Sequence, residues 1–418
     1  MAMINRVVTL CCIASFTSAA SYSQVRDLYN SLLINYTSNI RPVLDQTKAI
    51  NVDIDVMLHS INLFDEVSGK LSMSGIFRFS WTDELLQWNP MSANGISSMM
   101  FTTSQVWVPN VFIGNGVDQT NIFKPSDSIE ISYTREGSAS LRFFQIFDVV
   151  CQAGMTYYPN DIHTCKIEMA QMTNLDLVNL TSSKGIILTA YYSNLIWNVE
   201  STTMENVIVG RQSKAMFYIT IGRRPTFIFL TLVLPIIALN YVNLLVFFIP
   251  TDSGERISYS ITVLLTFTVY LSVYSDKVPP LSLPIGIFSV SMLIKLFTSC
   301  LISLSCIVIS RISYYQEDYP VPSTLQKLTA SFRRNRKIRS SLKTPARQNS
   351  TVDVVETMCN TREAETLSRD ENRSQPSTPV TVVWKEVVDF LDKLCLVLFT
   401  LTSTVETVVC LILIITRH

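Results

Sequence analysis

The sequence predicts a β-sandwich with an N-terminal helix, followed by a four-helix transmembrane bundle. Three observations predict it. Between Ile50 and Ile221 apolar residues alternate with polar ones in short runs. After Phe227 the chain carries four long apolar runs. The composition, 48% hydrophobic against 16% charged with mean hydropathy +0.29, suits a membrane protein with a substantial soluble part. The 33 basic and 33 acidic residues cancel and name no nucleic-acid partner.

Residues 1–20 read as a secretory signal peptide. Arg6 supplies the positive end, Val7 to Ala14 the apolar core and Ser18-Ala19-Ala20 the small-residue cleavage site. Secretion places residues 21–224 in an oxidising space, as an extracellular domain. Val25 to Tyr36 has helix periodicity, with Leu28, Leu32 and Leu33 on one side. The strand runs include Val52-Ile54-Val56-Leu58, Ile129-Ile131-Tyr133 and Phe217-Ile219-Ile221, punctuated by Gly, Asn, Pro and Ser clusters. Of nine cysteines, Cys11 and Cys12 go with the signal, Cys300, Cys306, Cys395 and Cys410 lie in apolar runs, and Cys359 sits in a polar linker. Cys151 and Cys165 remain and are expected to pair. Asn35-Tyr36-Thr37 and Asn179-Leu180-Thr181 are glycosylation acceptors. His59, His163 and His418 are scattered. No metal-ligand spacing, Ser-His-Asp or Cys-His arrangement or phosphate loop stands out, so neither cofactor, metal nor enzymatic activity is expected.

The apolar runs are Phe227–Ile249, Ile257–Tyr274, Leu283–Ile309 and Leu394–Ile415. The first contains Pro235, which a membrane helix accommodates by local adjustment. Residues 225–310 thus hold three spans, and 394–418 the fourth with a short C-terminus. Residues 311–393 form a loop expected to contain amphipathic helices and a disordered, Ser/Thr-rich centre. About a dozen Lys and Arg in this loop, including Arg333-Arg334-Asn335-Arg336-Lys337, make it cytoplasmic by the positive-inside rule. Asn349 and Asn372 therefore match the glycosylation pattern on the wrong side. Four spans place both ends outside the cell, in agreement with the signal, and give a multi-pass protein of the plasma membrane in contact with membrane lipid. Lys295 and Glu406 both fall near mid-depth, where a lone charge is expensive. They are expected to pair; the alternative is that each faces its own water-filled crevice.

The second run carries the functional signal. On a helix, Glu255, Ser258, Thr262, Leu265, Val269, Ser272 and Asp276 are spaced alternately three and four apart and share one face. Lipid gains nothing from such a stripe. Water does: hydroxyls replace ion hydration, carboxylates select sign, and an apolar ring gates by dewetting. The face spans about 32 Å, close to the hydrocarbon thickness. It reads as a pore lining; the competing reading packs the stripe against neighbouring helices.

The stretch Cys151 to Cys165, with thirteen residues between the cysteines and Tyr158-Pro159-x-Asp161 at its tip, resembles the disulfide loop of the Cys-loop receptors. Asn160 stands where that family usually has an aromatic. Trp81-Thr82-Asp83, Trp107-Val108-Pro109-Asn110, Arg223-Arg224-Pro225, Pro250 to Arg256, Val388-Asp389 and Leu394-Cys395-Leu396 resemble nicotinic acetylcholine receptor subunits in particular. The resemblance implies a pentamer, of one chain or of related subunits, around a central pore. It assigns Glu255 to the inner selectivity ring, Leu265 to the hydrophobic gate and Asp276 to the outer charged ring. Acidic rings attract permeant cations. Gly254-Glu255 also lacks the Pro-Ala insertion usual in the family's anion-selective members, so cation selectivity is expected. Arg256 would point away from the pore axis. Asp65-Glu66-Val67, Tyr158, Pro159, Asp161 and the Asp276-to-Pro280 linker, with Pro279, become a gating interface, where Arg223 would pair with Glu66 or Asp161.

The ligand positions depart from the family. Nicotinic agonists are cationic amines held in an aromatic cage. By counting from fixed points, the cage positions hold Gly114, Met172 and Ile76, and the flanking tyrosines become Glu205 and Gln212; Val207 and Ile208 replace the vicinal cysteines. A quaternary ammonium should bind poorly unless Phe112, Tyr191, Tyr192 or Tyr218 rebuild a cage. The resulting expectation is a cation-selective channel subunit with a small-molecule agonist other than acetylcholine. The competing readings are an accessory subunit, whose partners supply the agonist face, and a non-conducting binding protein on a receptor scaffold.

Overall fold

The computed structural model describes residues 20–117, 129–171, 177–279, 285–314, 320–329 and 383–416. The signal stretch 1–19, Met172, Pro280 and the basic and Ser/Thr-rich segment 330–382, with Cys359, Asn349 and Asn372, lie outside the described residues. The chain divides into two compact units: Met1–Thr231 with Ser272–Val290 and Ile412–His418, and Leu232–Leu271 with Ser291–Leu411.

The first unit opens with α1 (Tyr22–Leu33). Ser21 Oγ accepts the Gln24 N–H at 3.4 Å and Gln24 returns to the Ser21 N–H at 2.8 Å, a reciprocal cap. This cap starts the helix three residues before the expected Val25. It ends at Leu33, short of Tyr36, because Asn35 takes φ +63°, which a helix cannot continue through. Two sheets follow. The seven-stranded sheet runs β3 (Ser98–Thr102), β5 (Glu130–Thr134), β6 (Ser138–Val150), β2 (Lys70–Thr82), β1 (Ile50–Asp65), β8 (Val178–Thr181), with β9 (Ile186–Ile187) also on β1. The four-stranded sheet runs β10 (Trp197–Val209), β11 (Gln212–Arg223), β7 (Ile162–Gln171), β4 (Val111–Ile113). The alternating positions of each strand are buried: Val52, Ile54, Val56 and Leu58 on β1, and Ala215, Phe217, Ile219 and Ile221 on β11. Cys151 and Cys165 are bonded, Cα to Cα 5.1 Å, joining the end of β6 to β7 and so one sheet to the other.

Four helices among the described residues are long and apolar enough to cross a membrane: α2 (Thr226–Phe248), α3 (Glu255–Ser275), α4 (Ile287–Ser313) and α5 (Trp384–Ile415). In α2 a wide turn at Phe229–Val233 precedes Pro235, the adjustment that the missing N–H demands. α4 starts after Gly286 and runs past Ile309 to Ser313; Leu283, where the expected run begins, lies outside the described residues. α5 begins ten residues before the expected Leu394, because Trp384 to Lys393 is amphipathic: Val387 and Val388 are buried while Glu386 and Asp389 are exposed. The core of the second unit joins Leu244, Val246 and Phe247 of α2, Ile302, Cys306 and Ile309 of α4, and Val388 and Phe399 of α5.

Candidate functional site

The candidate pore face lies on α3 and on Asp276, the residue that follows it. Glu255, Ser258, Thr262, Leu265, Val269, Ser272 and Asp276 are all exposed, Leu265 at 63% and Val269 at 56%. A different face of the helix is buried, at Arg256, Ser260, Val263, Phe267 and Tyr274. The stripe is therefore not consumed by packing within the chain. Thr262 Oγ1 returns to the Ser258 carbonyl at 2.9 Å, so that hydroxyl keeps its lone pairs for water. Arg256 turns away from the stripe and is held by Asp392.

The positions expected at the gating interface converge in the first unit. Arg223, at the end of β11, donates from Nε to Asp161 Oδ1 at 2.8 Å and from Nη2 to Glu66 Oε1 at 2.5 Å. It pairs with both acids rather than with one. Its guanidinium stands 4.4 Å from the Trp197 ring centroid and 5.2 Å from that of Tyr158. Asp161 is fully buried and also meets His163 Nε2. Burial raises its carboxyl, but the hydrogen bonds from His163 and Arg223 and their charge outweigh it and hold the group at about 2. Burial pushes the Tyr158 hydroxyl up to about 12. Asp65 does not reach this cluster. It caps its own turn through the Val67 N–H at 3.0 Å, and Val67 is half exposed. Tyr158 packs on Tyr274 and Phe288, centroids 5.8 and 6.2 Å away, and the Thr156 carbonyl accepts the Ile287 N–H at 3.0 Å. Pro159 and Pro279 are buried.

The candidate ligand positions fall on two sheets. Glu205, Met216 and Glu168 form one row across β10, β11 and β7, and the Gly114 N–H donates to the Glu168 carbonyl at 2.7 Å. A Cβ at Gly114 would come within 3.0 Å of Glu168 Oε1, so the glycine leaves the space that this carboxylate fills. Glu168 in turn pairs with Lys214 at 2.5 Å and Lys166 at 3.6 Å. Gln212 faces Val209 across a two-residue turn at Gly210, φ +63°, which fixes the length of this hairpin. Ile76 lies on the other sheet, between Met57 and Phe144. Of the aromatics that could rebuild a cage, Tyr192 packs on His59 at 4.8 Å, beside Phe144, away from Gly114's sheet. Of the glycosylation acceptors, Asn35 is exposed, whereas the Asn179 side-chain amide donates to Asn51 Oδ1 at 2.9 Å.

The sequence family described as neurotransmitter-gated ion-channel ligand binding domain matches residues 25–225, and the neurotransmitter-gated ion-channel transmembrane region matches residues 232–378. The chain belongs to the Cys-loop family of neurotransmitter-gated ion channels. The chain is similar to the 5-hydroxytryptamine receptor 3A of Cavia porcellus (30% identical over 72% of this chain and 64% of the relative) and of Mus musculus (28%, 72% and 63%). It is also similar to the acetylcholine receptor subunit alpha-type unc-38 of Caenorhabditis elegans (23%, 72% and 64%). It thus spans about 64% of the length of these curated relatives. Ligand-gated channels of this family are not enzymes, and among the described residues no group of His, Cys, Asp and Glu could hold a metal.

Within this Cys-loop chain, sequence reasoning missed Trp197, His163, Phe288 and Asp392. One signal was available: Asp161 and His163 stand two apart at the start of a strand and so share a side. Trp197 gave none, because its meeting with Arg223 is set by the pairing of β10 with β11.

Proposed function

We propose that this chain is a subunit of a cation-selective pentameric channel in the plasma membrane, opened by a small molecule other than acetylcholine. One observation carries the reading: a face with carboxylates at both ends and hydroxyls between them stays exposed on α3, while a different face is buried. Lipid gives such a face no partner, whereas water hydrates its hydroxyls and carboxylates. Five copies around an axis would stack rings of Glu255, Thr262, Leu265 and Asp276, attractive to cations at both mouths and dewetted at Leu265. The agonist would bind between the Gly114-Glu205-Gln212 face of one subunit and the Ile76 face of the next. The names of the relatives point to 5-hydroxytryptamine and acetylcholine, both cationic amines. On this face the counted cage positions Gly114 and Glu205 carry no ring and Glu168 and Lys214 stand between them, so among the described residues only Phe112 and Tyr218 offer such a cation an aromatic surface there. The same observation favours a second reading, an accessory subunit whose related partners supply the agonist face. Four spans put both ends on one side of the membrane, and the basic loop and the signal stretch make that side the outside of the cell.

The test is whole-cell current from the chain expressed alone with Leu265→Ser and sodium as the sole permeant cation. A leak reversing with the sodium gradient supports a homomeric cation pore. Silence with the protein at the surface, restored by co-expressed related subunits, supports the accessory reading.

A further inference from the structure

We infer that Asp392 positions the Glu255 carboxylate, and thereby ion selection, by holding Arg256; the inference rests on the pore reading above. Glu255 is the first residue of α3. The N–H groups of a first turn have no carbonyl one turn back. Gly254 before it stands at φ +71° with open space around it, a conformation in which glycine turns freely. The chain that enters this turn is thus held by few backbone bonds of its own.

Arg256 fixes it. The side chain is 1% exposed and is the largest fully buried one among the described residues. Nη1 donates to Asp392 Oδ2 at 3.1 Å and Nη2 donates to Asp392 Oδ1, a two-pronged bond that sets both plane and direction. The guanidinium lies 5.5 Å from the Phe247 ring centroid. Its Nε has no hydrogen-bond partner among the described residues, so the Asp392 fork carries most of the compensation of a buried charge. Consecutive helix residues stand about 100° apart. A guanidinium locked on the buried side therefore holds the preceding carboxylate on the exposed side, where Glu255 is. Asp392 belongs to the amphipathic start of α5, ahead of the apolar run that begins at Leu394. A cavity of about 530 Å³, lined in part by Phe247, Trp384, Val388 and Asp392, opens beside Asp392.

The test uses the full chain carrying Leu265→Ser and reads the reversal potential in diluted external NaCl. Glu255→Gln is the reference, expected to lower the sodium-over-chloride permeability ratio at least threefold. Asp392→Asn should lower it at least threefold at unchanged surface protein, and Asp392→Glu should retain it. Arg256→Asp combined with Asp392→Arg should recover it relative to either single change. An unchanged ratio in Asp392→Asn, with Glu255→Gln effective, overturns the positioning role; an ineffective Glu255→Gln overturns the pore reading instead. A second measurement needs no current. A charged thiol reagent labels Glu255→Cys in permeabilised membranes, read as the excess over the chain that keeps Glu255. Asp392→Asn should change that rate at least fivefold, and an equal rate overturns the inference whether or not current flows.

Discussion

At Arg223 one buried guanidinium meets two carboxylates and two aromatic faces. Removing one partner strands the others, so Asp161→Ala should destabilise the protein by about 3 kcal/mol, read as a lower unfolding temperature of the detergent-solubilised chain. The pH dependence has a definite sign. The Asp161 carboxyl is held at about 2, below its unfolded value near 4. Its stabilisation, about 2 kcal/mol, is therefore full above about pH 4 and is lost as pH falls toward 2. A profile between pH 5 and 3 should be flatter in Asp161→Asn than in the parent. The participants were legible unevenly. Arg223, Glu66 and Asp161 could be named from motifs. That Arg223 takes both acids at once, between Trp197 and Tyr158, depends on strand pairing that no local pattern contains.

At the scale of elements, α3 was legible because its period and polarity disagree: an apolar helix that repeats hydroxyls every three or four residues has to place them somewhere. The first ten residues of α5 fall in the loop where amphipathic helices are expected, but their unbroken continuation into the last span was not legible, since Lys385, Glu386, Asp389, Asp392 and Lys393 interrupt the apolar positions and the run of hydropathy starts later. Lys295 of α4 and Glu406 of α5 were placed at like depth by counting from the ends of their spans. In the structure Lys295 Nζ donates to Glu406 Oε2, and Ser291 Oγ donates to Oε1. Lys295→Met or Glu406→Met alone should cost about 3–5 kcal/mol by stranding a charge, while the double methionine should approach the parent. Thermal unfolding followed by size-exclusion fluorescence measures this; a double mutant no better than the singles contradicts the pair. Asn160, where the family usually has an aromatic, donates its side-chain amide to the Ile414 carbonyl at 3.2 Å, in the last turn of α5. Asn160→Ala should free that turn by about 1 kcal/mol, seen as faster amide exchange in residues 412–416.

At the scale of the molecule, alternation and apolar runs were enough to separate sandwich from bundle, because burial imposes a period of two on strands and a minimum length on spans. The ligand was not legible. Gly114, Glu205, Gln212 and Ile76 say which wall is missing, and an absent aromatic cage names no replacement. A quaternary ammonium at millimolar concentration should evoke no current above the Leu265→Ser leak; a saturable response would mean that other aromatics form a cage. In the proposed channel the Glu255-to-Asp276 face lines water. The most direct measurement is the rate at which a water-soluble thiol reagent blocks Leu265→Ser channels bearing single cysteines along α3. Rapid block is expected at Ser258, Thr262, Val269 and Ser272, and block at least tenfold slower at Ser260, Val263 and Phe267. Equal rates in the two sets, or faster reaction in the second, would contradict that lining.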